Sequence, residues 1–287
     1  MNRKIGVKIS EGACAEVFEW EGNEKVIKLA KANTNYNAME IEYSNTKIVW
    51  DNGLPVPEPF EVLEFDGRWG IVFERVYGET LMEIFMKQFL IHSSVEKSIQ
   101  KINYEDTTKM TAKVLSEIHS KSIINMSSQR ESIINSINRG NHLTSSEKDL
   151  ILNISNNIPV KKQLCHGDPN PNNILVRDNK TLVIDWANAS SGNPEADLAE
   201  YIVMMRFGIV PANIPNEIVS YFDSIREKII KVFLDEYLKH SNISLKEMED
   251  WILIIATRKL SVDGIDEVEK ELLTTEIRRR LKNIHSL

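Results

Sequence analysis

The sequence contains few of the residues that mark disulfide-rich, zinc-binding or membrane-spanning proteins. Its 287 residues include two cysteines, Cys14 and Cys165, which are too few for a disulfide framework and lack the spacing of a zinc site. We expect both to be small buried or half-buried residues. The longest uninterrupted apolar run is six residues, Trp251 to Ala256, against the roughly 20 that a transmembrane helix needs. The sequence therefore predicts a protein without a membrane partner.

Two further absences concern a secretion signal and basic charge. Lys8 and Glu11 interrupt the apolar core that a secretory signal would need, so we expect a cytoplasmic protein. Lysine and arginine number 35 against 42 aspartates and glutamates, a net charge of −7, which argues against a nucleic-acid partner and fits a cationic one better. With 42% hydrophobic and 27% charged residues, the composition is that of an ordinary globular protein.

The first 76 residues or so predict a small sheet with one helix. Short segments that mix β-branched, aromatic and polar residues, separated by turn-forming pairs, are typical of strands. The predicted strands are Ile5 to Ser10, Val17 to Trp20, Lys25 to Leu29, Phe60 to Phe65 and Trp69 to Val76, with a helix from Asn37 to Trp50. Gly53 closes that helix, and Asp66-Gly67 favours a tight hairpin turn.

After Gly78 the pattern changes to long helices, interrupted by two short strand-like runs. The runs are Ile174 to Val176 and Leu182 to Ile184, and the most regular helical patterns after them cover Ala196 to Arg206, Glu217 to Lys239, Leu245 to Leu260 and Glu267 to Asn283. The sequence thus predicts an α+β fold of two lobes: a β-sheet lobe with one helix over residues 1–77 and a mainly helical lobe over residues 78–287.

The chemistry of the chain is concentrated between Leu164 and Trp186. This stretch reads LCHGDPNPNNILV and ends, after a second short strand, in LVIDW. It contains Asp168, Asn173 five positions later and Asp185 at the end of an apolar strand. Phosphoryl transfer from a nucleotide needs such a set: one carboxylate to orient the attacking hydroxyl and accept its proton, and an amide oxygen and a second carboxylate to hold magnesium.

These residues resemble the aminoglycoside phosphotransferase and choline kinase-like family, which has a protein-kinase-like fold. The match consists of HGDxxxxN, a strand ending in IDW and the segment NPEADLA at residues 193–199. The resemblance implies that Asp168 is the catalytic base, that Asn173 and Asp185 bind Mg²⁺, and that His166 braces the catalytic loop, at about residues 164–188. It further implies that Asp197 caps or anchors the following helix.

The resemblance also implies a nucleotide clamp in the first lobe. Lys28, on the third predicted strand, is similar to the kinase lysine that contacts the α- and β-phosphates. Its partner would be a glutamate of the next helix, Glu42 or, as the competitor, Glu40. The loop around Gly12 would cover the phosphates, although its single glycine departs from GxGxxG. Backbone groups from Glu74 to Val76 would bind the adenine of the nucleotide.

The interval from Asp185 to Asp197 is 12 positions and contains neither DFG nor APE. This favours a small molecule over a peptide as acceptor. The sequence therefore predicts a monomeric kinase that transfers the γ-phosphoryl group of ATP or GTP to a hydroxyl of a small cationic acceptor such as an aminoglycoside. Two alternatives stay open: a metabolic alcohol kinase of the choline, homoserine or fructosamine type, and a non-catalytic nucleotide-binding module.

Overall fold

A computed structural model of the chain describes residues 4–93, 103–123, 125–210, 214–262 and 265–284. The chain forms two compact units. Unit 1 contains the residues up to Glu83 together with Asn170–Ala189, and unit 2 contains Ile84–Pro169 and the residues from Ser190 onward. The predicted α+β class is confirmed. The lobe boundary after residue 77 stays a proposal. Among the described residues, none of the helices combines the length and apolar character needed to cross a bilayer.

Unit 1 is built on a five-stranded antiparallel sheet with the strand order β1-β2-β3-β5-β4. The strands are β1 (Ile5–Glu11), β2 (Ala15–Trp20), β3 (Lys25–Ala30), β4 (Pro59–Phe65) and β5 (Arg68–Glu74). Because side chains alternate between the faces of a strand, β3 directs Ile27 and Leu29 into one apolar cluster and Ala30 into another. The predicted Asp66-Gly67 turn is confirmed, with φ of 48° and 74°.

One helix, α1 (Tyr36–Asp51), belongs to the same unit, and its sequence defines both ends. Asn35 caps its first turn by accepting a hydrogen bond from the Ala38 N–H at 3.0 Å. The helix stops where Gly53 adopts a φ of 75°, a left-handed conformation that costs glycine little. Met39 packs from α1 into the cluster with Ala30 and Ile71.

The segment from Asn170 to Ala189 adds a small hairpin to unit 1. Strand β8 (Ile174–Arg177) pairs with β9 (Lys180–Val183) across the turn Asp178-Asn179, and with the short strand β6 (Glu79–Thr80) on its other edge. A 3-10 turn, Pro171–Asn173, precedes the hairpin, and a second one, Trp186–Asn188, follows it. Both 3-10 turns therefore lie at the end of the hairpin that is opposite its connecting turn.

Unit 2 is mainly helical. Its helices in the described ranges are α2 (Leu81–Ser93, which begins in unit 1), α3 (Tyr104–His119), α4 (Gln129–Arg139), α5 (Ser145–Asn157), α6 (Pro194–Phe207), α7 (Asn216–Leu238), α8 (Leu245–Lys259) and α9 (Glu267–Ile284). Strands β7 (Gln163–Cys165) and β10 (Ser190–Gly192) pair with each other. The six-residue apolar run Trp251–Ala256 is buried throughout, which makes α8 a central helix of the unit.

Gly78 provides a test of backbone packing in unit 1. A Cβ at this position would lie 2.6 Å from the carbonyl oxygen of Val176, a backbone atom that cannot rotate away. We expect Gly78→Ala to lower the free energy of unfolding by about 1–3 kcal/mol. The control is Gly12→Ala, whose Cβ would meet no atom closer than 3.9 Å. Urea unfolding of both variants measures the difference, and equal midpoints would contradict the packing argument.

Candidate active site

The nucleotide side of the candidate site begins with an ion pair between a strand and a helix of unit 1. The Nζ of Lys28 on β3 lies 2.7 Å from Oε1 of Glu42 on α1. Lys28 stands on the opposite face of β3 from Ile27 and Leu29, which is why its side chain avoids their apolar cluster. Of the two predicted partners, Glu42 makes this contact. Glu40 instead accepts a hydrogen bond from the Tyr36 hydroxyl at 3.1 Å.

The choice between the two glutamates follows from helix geometry. Residues two positions apart in an α-helix point in nearly opposite directions, so α1 can present only one of them to Lys28. The Glu42 side chain is buried, with 6% exposure, whereas Glu40 is half-buried. Burial would lower the pKa of Lys28, but the nearby charges of Glu42 and Asp185 raise it overall. The lysine is therefore positively charged at neutral pH.

Asp185 is the second carboxylate that contacts Lys28, with Oδ1 at 3.1 Å from Nζ. Its backbone has a φ of 64° and a ψ of 64°, a left-handed conformation that aspartate adopts at moderate cost. The following residue, Trp186, is fully buried, and its carbonyl accepts a hydrogen bond at 3.0 Å from Asn45 of α1. The Asp185 side chain is 42% exposed, in contrast to Glu42. A cation from solution can therefore reach it.

Asn173 lies next to Asp185 in the same hairpin. Ile174 pairs with Val183, and the Ile184 N–H donates to the Asn173 carbonyl at 2.9 Å, so the register brings both residues to one end of the hairpin. A hydrogen bond of 3.0 Å from the Asn172 N–H to the Asn170 side chain stabilises the preceding 3-10 turn. An amide and a carboxylate supply the hard oxygen ligands that Mg²⁺ prefers. The residues present thus fit a magnesium ion.

The predicted catalytic loop belongs to unit 2 as far as Pro169. It leaves β7 at the buried His166 and turns at Gly167, where φ is 78°. The Asp168 N–H donates to Nδ1 of His166 at 3.3 Å, so the imidazole braces the backbone of the loop. Asp168 itself is half-buried.

Asp197 holds this loop through its backbone. Its Oδ2 accepts from the His166 N–H at 2.6 Å and its Oδ1 accepts from the Gly167 N–H at 3.1 Å. The sequence resemblance implied that Asp197 caps or anchors the following helix. In the structure Asn193 occupies the N-cap position of α6, and the Asp197 carboxylate accepts these two hydrogen bonds from the preceding loop. Burial alone would raise the pKa of Asp197. The hydrogen bond from His119, with the bond from the His166 N–H, lowers it overall.

Arg258 of α8 is a residue near the site that the sequence motifs do not mark. Its guanidinium contacts Oε2 of Glu200 on α6. Burial would lower the pKa of Arg258, whereas the charges of Glu200, Asp197 and Asp168 raise it overall, so the arginine is a charged group within electrostatic range of Asp168. Its position 90 residues after Asp168 gives no local sequence signal.

The two remaining predicted segments of the nucleotide site lie in unit 1. In the turn between β1 and β2, the Gly12 N–H donates to the Ala15 carbonyl at 2.9 Å. Cys14 of this turn is exposed, so its expected burial is wrong; a turn residue between two strands has no core to enter. At the end of β5, the Glu74 N–H is bonded to the Glu58 carbonyl at 2.9 Å. The Glu74 N–H is therefore already hydrogen-bonded within unit 1. Val76, two residues further on, is half-buried.

A group of buried side chains in unit 2 has the composition of a metal site but not its chemistry. Ligand atoms of His119, Cys165 and Asp197 lie within 4.8 Å of one another. Both ring nitrogens of His119 are hydrogen-bonded, and both carboxylate oxygens of Asp197 accept backbone N–H groups. Burial, with the charges of Asp197 and Glu195, raises the pKa of Cys165 well above its ordinary value, so a metal-binding thiolate is disfavoured.

A family model and several solved structures are similar to this chain. The model of a phosphotransferase enzyme family matches residues 133–223, which include the catalytic loop, both short strands and α6. Comparison with the curated proteins found no match.

Solved structures share the fold at low sequence identity. A thermostable mutant of aminoglycoside phosphotransferase APH(4)-Ia, in a ternary complex with ADP and hygromycin B, is 15% identical with a TM-score of 0.61, covering 97% of this chain and 93% of that one. Choline kinase LicA from Streptococcus pneumoniae is 16% identical with a TM-score of 0.57, covering 99% and 94%. Amicoumacin kinase hAmiN, in complex with AMP-PNP, Ca²⁺ and Ami, is 12% identical with a TM-score of 0.59, covering 97% and 88%.

The fold is therefore that of the protein-kinase-like phosphotransferases, and the predicted class of enzyme, a phosphotransferase, is confirmed by the family match. The resemblance to the aminoglycoside phosphotransferase and choline kinase-like family, inferred from HGDxxxxN and IDW, is likewise confirmed.

Acid titration tests the assignment of Asp197 as the residue that holds the loop. The carboxyl pKa is lower in the folded protein than in the unfolded chain, where it is about 3.9. Its stabilisation is therefore complete above about pH 4 and is lost as the pH falls through the folded pKa. We expect Asp197→Asn to lower the free energy of unfolding at pH 7 by about 1.5–3 kcal/mol, and the difference from wild type to shrink below pH 4.

Urea unfolding at pH 7 and pH 3 measures this difference. The control is Asp149→Asn, which changes an exposed aspartate of α5 and should have little effect at either pH. If the effect of Asp197→Asn were the same at both pH values, the charge of Asp197 would not be what holds the loop.

Proposed function

We propose that the protein transfers the γ-phosphoryl group of ATP or GTP to a hydroxyl group of a small molecule. The observation that carries the proposal is Lys28 in contact with both Glu42 and Asp185. A half-buried lysine oriented by one glutamate can bind nucleotide phosphates as a fixed positive charge. The exposed aspartate beside it can share those phosphates through a divalent cation.

The proposed site residues have two separate roles, phosphate binding and activation of the acceptor. Asn173 and Asp185 would hold Mg²⁺, which supplies charge neutralisation on the β- and γ-phosphates when bound. Asp168 would accept a hydrogen bond from the acceptor hydroxyl, orient its oxygen for in-line attack and take up its proton. His166 and Asp197 would keep the backbone on either side of Gly167 fixed. No phosphorylated form of the protein is needed.

For the acceptor, we propose a small cationic molecule such as an aminoglycoside. The net charge of −7 and the similarity to the hygromycin B-bound phosphotransferase fold support it. A metabolic alcohol is the second candidate, because the choline kinase fold is about equally similar. The cytoplasmic location and the monomeric state stay predictions.

Substitution of the proposed base tests the reaction. We expect Asp168→Asn to lower turnover by several orders of magnitude while nucleotide affinity stays near wild type, since Asp168 is assigned to the acceptor and not to the phosphates. Magnesium-dependent ATP and GTP consumption is measured with aminoglycosides, macrolides, choline, homoserine and sugar amines.

Turnover with aminoglycosides alone would support the first acceptor class, and turnover with choline, homoserine or sugar amines alone the second. Nucleotide binding without turnover on any of these acceptors would favour the non-catalytic alternative. Near-wild-type turnover of Asp168→Asn would rule out Asp168 as the base.

A second variant tests the metal assignment separately. Asp185→Asn keeps a side chain that tolerates the left-handed backbone and removes the charge. We expect it to weaken Mg·ATP binding by about tenfold or more, since a full carboxylate charge on the ion is lost. The rise in melting temperature with Mg·ATP concentration measures this affinity.

The control for Asp185 is Asp178→Asn in the turn of the same hairpin. Asp178 is exposed and has a φ of 50°, so it matches Asp185 in backbone conformation but lies at the opposite end of the hairpin. Equal loss of Mg·ATP affinity in both variants would contradict the metal assignment.

A further inference from the structure

A buried hydrogen-bond chain connects α7 to the catalytic loop within unit 2. The hydroxyl of Tyr237 on α7 lies 2.8 Å from Nδ1 of His119, the last residue of α3. The other ring nitrogen of His119, Nε2, lies 3.2 Å from Oδ2 of Asp197. Asp197 in turn accepts the N–H groups of His166 and Gly167. Tyr237 is thus the outermost member of a chain that ends one residue before Asp168.

The direction of each bond in this chain is defined by its chemistry. An ionised carboxylate only accepts hydrogen bonds, and the pKa of Asp197 is lowered, so the hydrogen between His119 and Asp197 belongs to Nε2. With His119 as a neutral imidazole, Nδ1 is then the acceptor and the Tyr237 hydroxyl donates to it. Burial, with the charges of Asp197 and Glu195, raises the pKa of Tyr237, so its phenol retains the proton that it donates.

Packing leaves the Tyr237 ring little freedom to move. The residue is 1% exposed, and its ring centroid lies 5.7 Å from that of His119 and 6.4 Å from that of Phe233. Phe233 is itself stacked on Tyr201 at 3.8 Å. A hydroxyl held in this way presents its hydrogen to His119 in a fixed direction.

We propose that Tyr237 is a positioning residue for the catalytic loop: it fixes the tautomer and orientation of His119, through which Asp197 holds the backbone at His166 and Gly167. Asp168 is the next residue in the chain, so the fixed backbone also limits the positions that its carboxylate can take. The effect on turnover rests on the proposed function, whereas the effects on His119 and on the loop amides do not.

Tyr237→Phe removes the hydroxyl and keeps the ring. The buried Nδ1 of His119 loses its donor, so the Nε2–H tautomer loses its preference and the hold on Asp197 weakens. We expect hydrogen exchange of the Gly167 amide to accelerate by about tenfold, the order of one net hydrogen bond. With an active acceptor, kcat should fall by a similar factor while the KM for ATP changes little.

Tyr201→Phe is the matched control. It also removes one buried tyrosine hydroxyl from the same aromatic stack, but that hydroxyl is bonded to Thr108 of α3 and not to the chain that leads to Asp197. A general loss of stability would affect both variants alike. Only the proposed role makes Tyr237→Phe alone change the exchange of Gly167 and the tautomer of His119, which ¹⁵N NMR of the imidazole reports.

The outcomes separate this inference from the proposed function. A wild-type His119 with its hydrogen on Nδ1 would overturn the inference without any variant, as would equal exchange of Gly167 in the two variants. If the wild-type protein phosphorylated no acceptor, the proposed function would fail, and the NMR and exchange measurements would still decide the role of Tyr237.

Discussion

Both units are organised by the compensation of a buried carboxylate charge. In unit 1, burial disfavours ionised Glu42, and Lys28 is the nearby cation that opposes this effect. In unit 2, Asp197 is fully enclosed, and two backbone N–H groups and an imidazole compensate it. A buried charge without such partners would cost several kcal/mol, so each carboxylate requires cations or hydrogen-bond donors around it. The lysine orientation and the loop conformation are consequences of that requirement.

The backbone at the site is held in conformations that most residues avoid. Asp185 and Gly167 both have positive φ, and each is fixed by neighbouring contacts: the buried Trp186 with its bond from Asn45 for the first, and Asp197 for the second. Such conformations persist only where the surrounding structure enforces them. A sharp backbone turn changes the direction of a side chain within one residue. The turns at Asp185 and Gly167 therefore orient the carboxylates of Asp185 and Asp168 in directions that a regular strand would not allow.

The sequence was most informative where local chemistry determines structure. Asp66-Gly67 predicted its hairpin and Gly53 the end of α1, because each needs only its own backbone conformation. The choice between Glu40 and Glu42 could not be made in this way, since it depends on the rotation of α1 relative to β3. Tyr237 and Arg258 had no signal at all: their partners lie 118 and 58 residues away in the chain, and only tertiary packing brings them together.

The acceptor is the part of the function that the fold defines least. The phosphate binding that we propose for unit 1 uses residues of a motif with fixed spacing, whereas the charge around Asp168 in unit 2 comes from helices that carry no motif. Arg258 and Glu200 place one positive and one negative charge on α8 and α6, and the two are paired with each other. The net charge of −7 therefore draws cations to the protein as a whole but does not by itself define the acceptor beside Asp168.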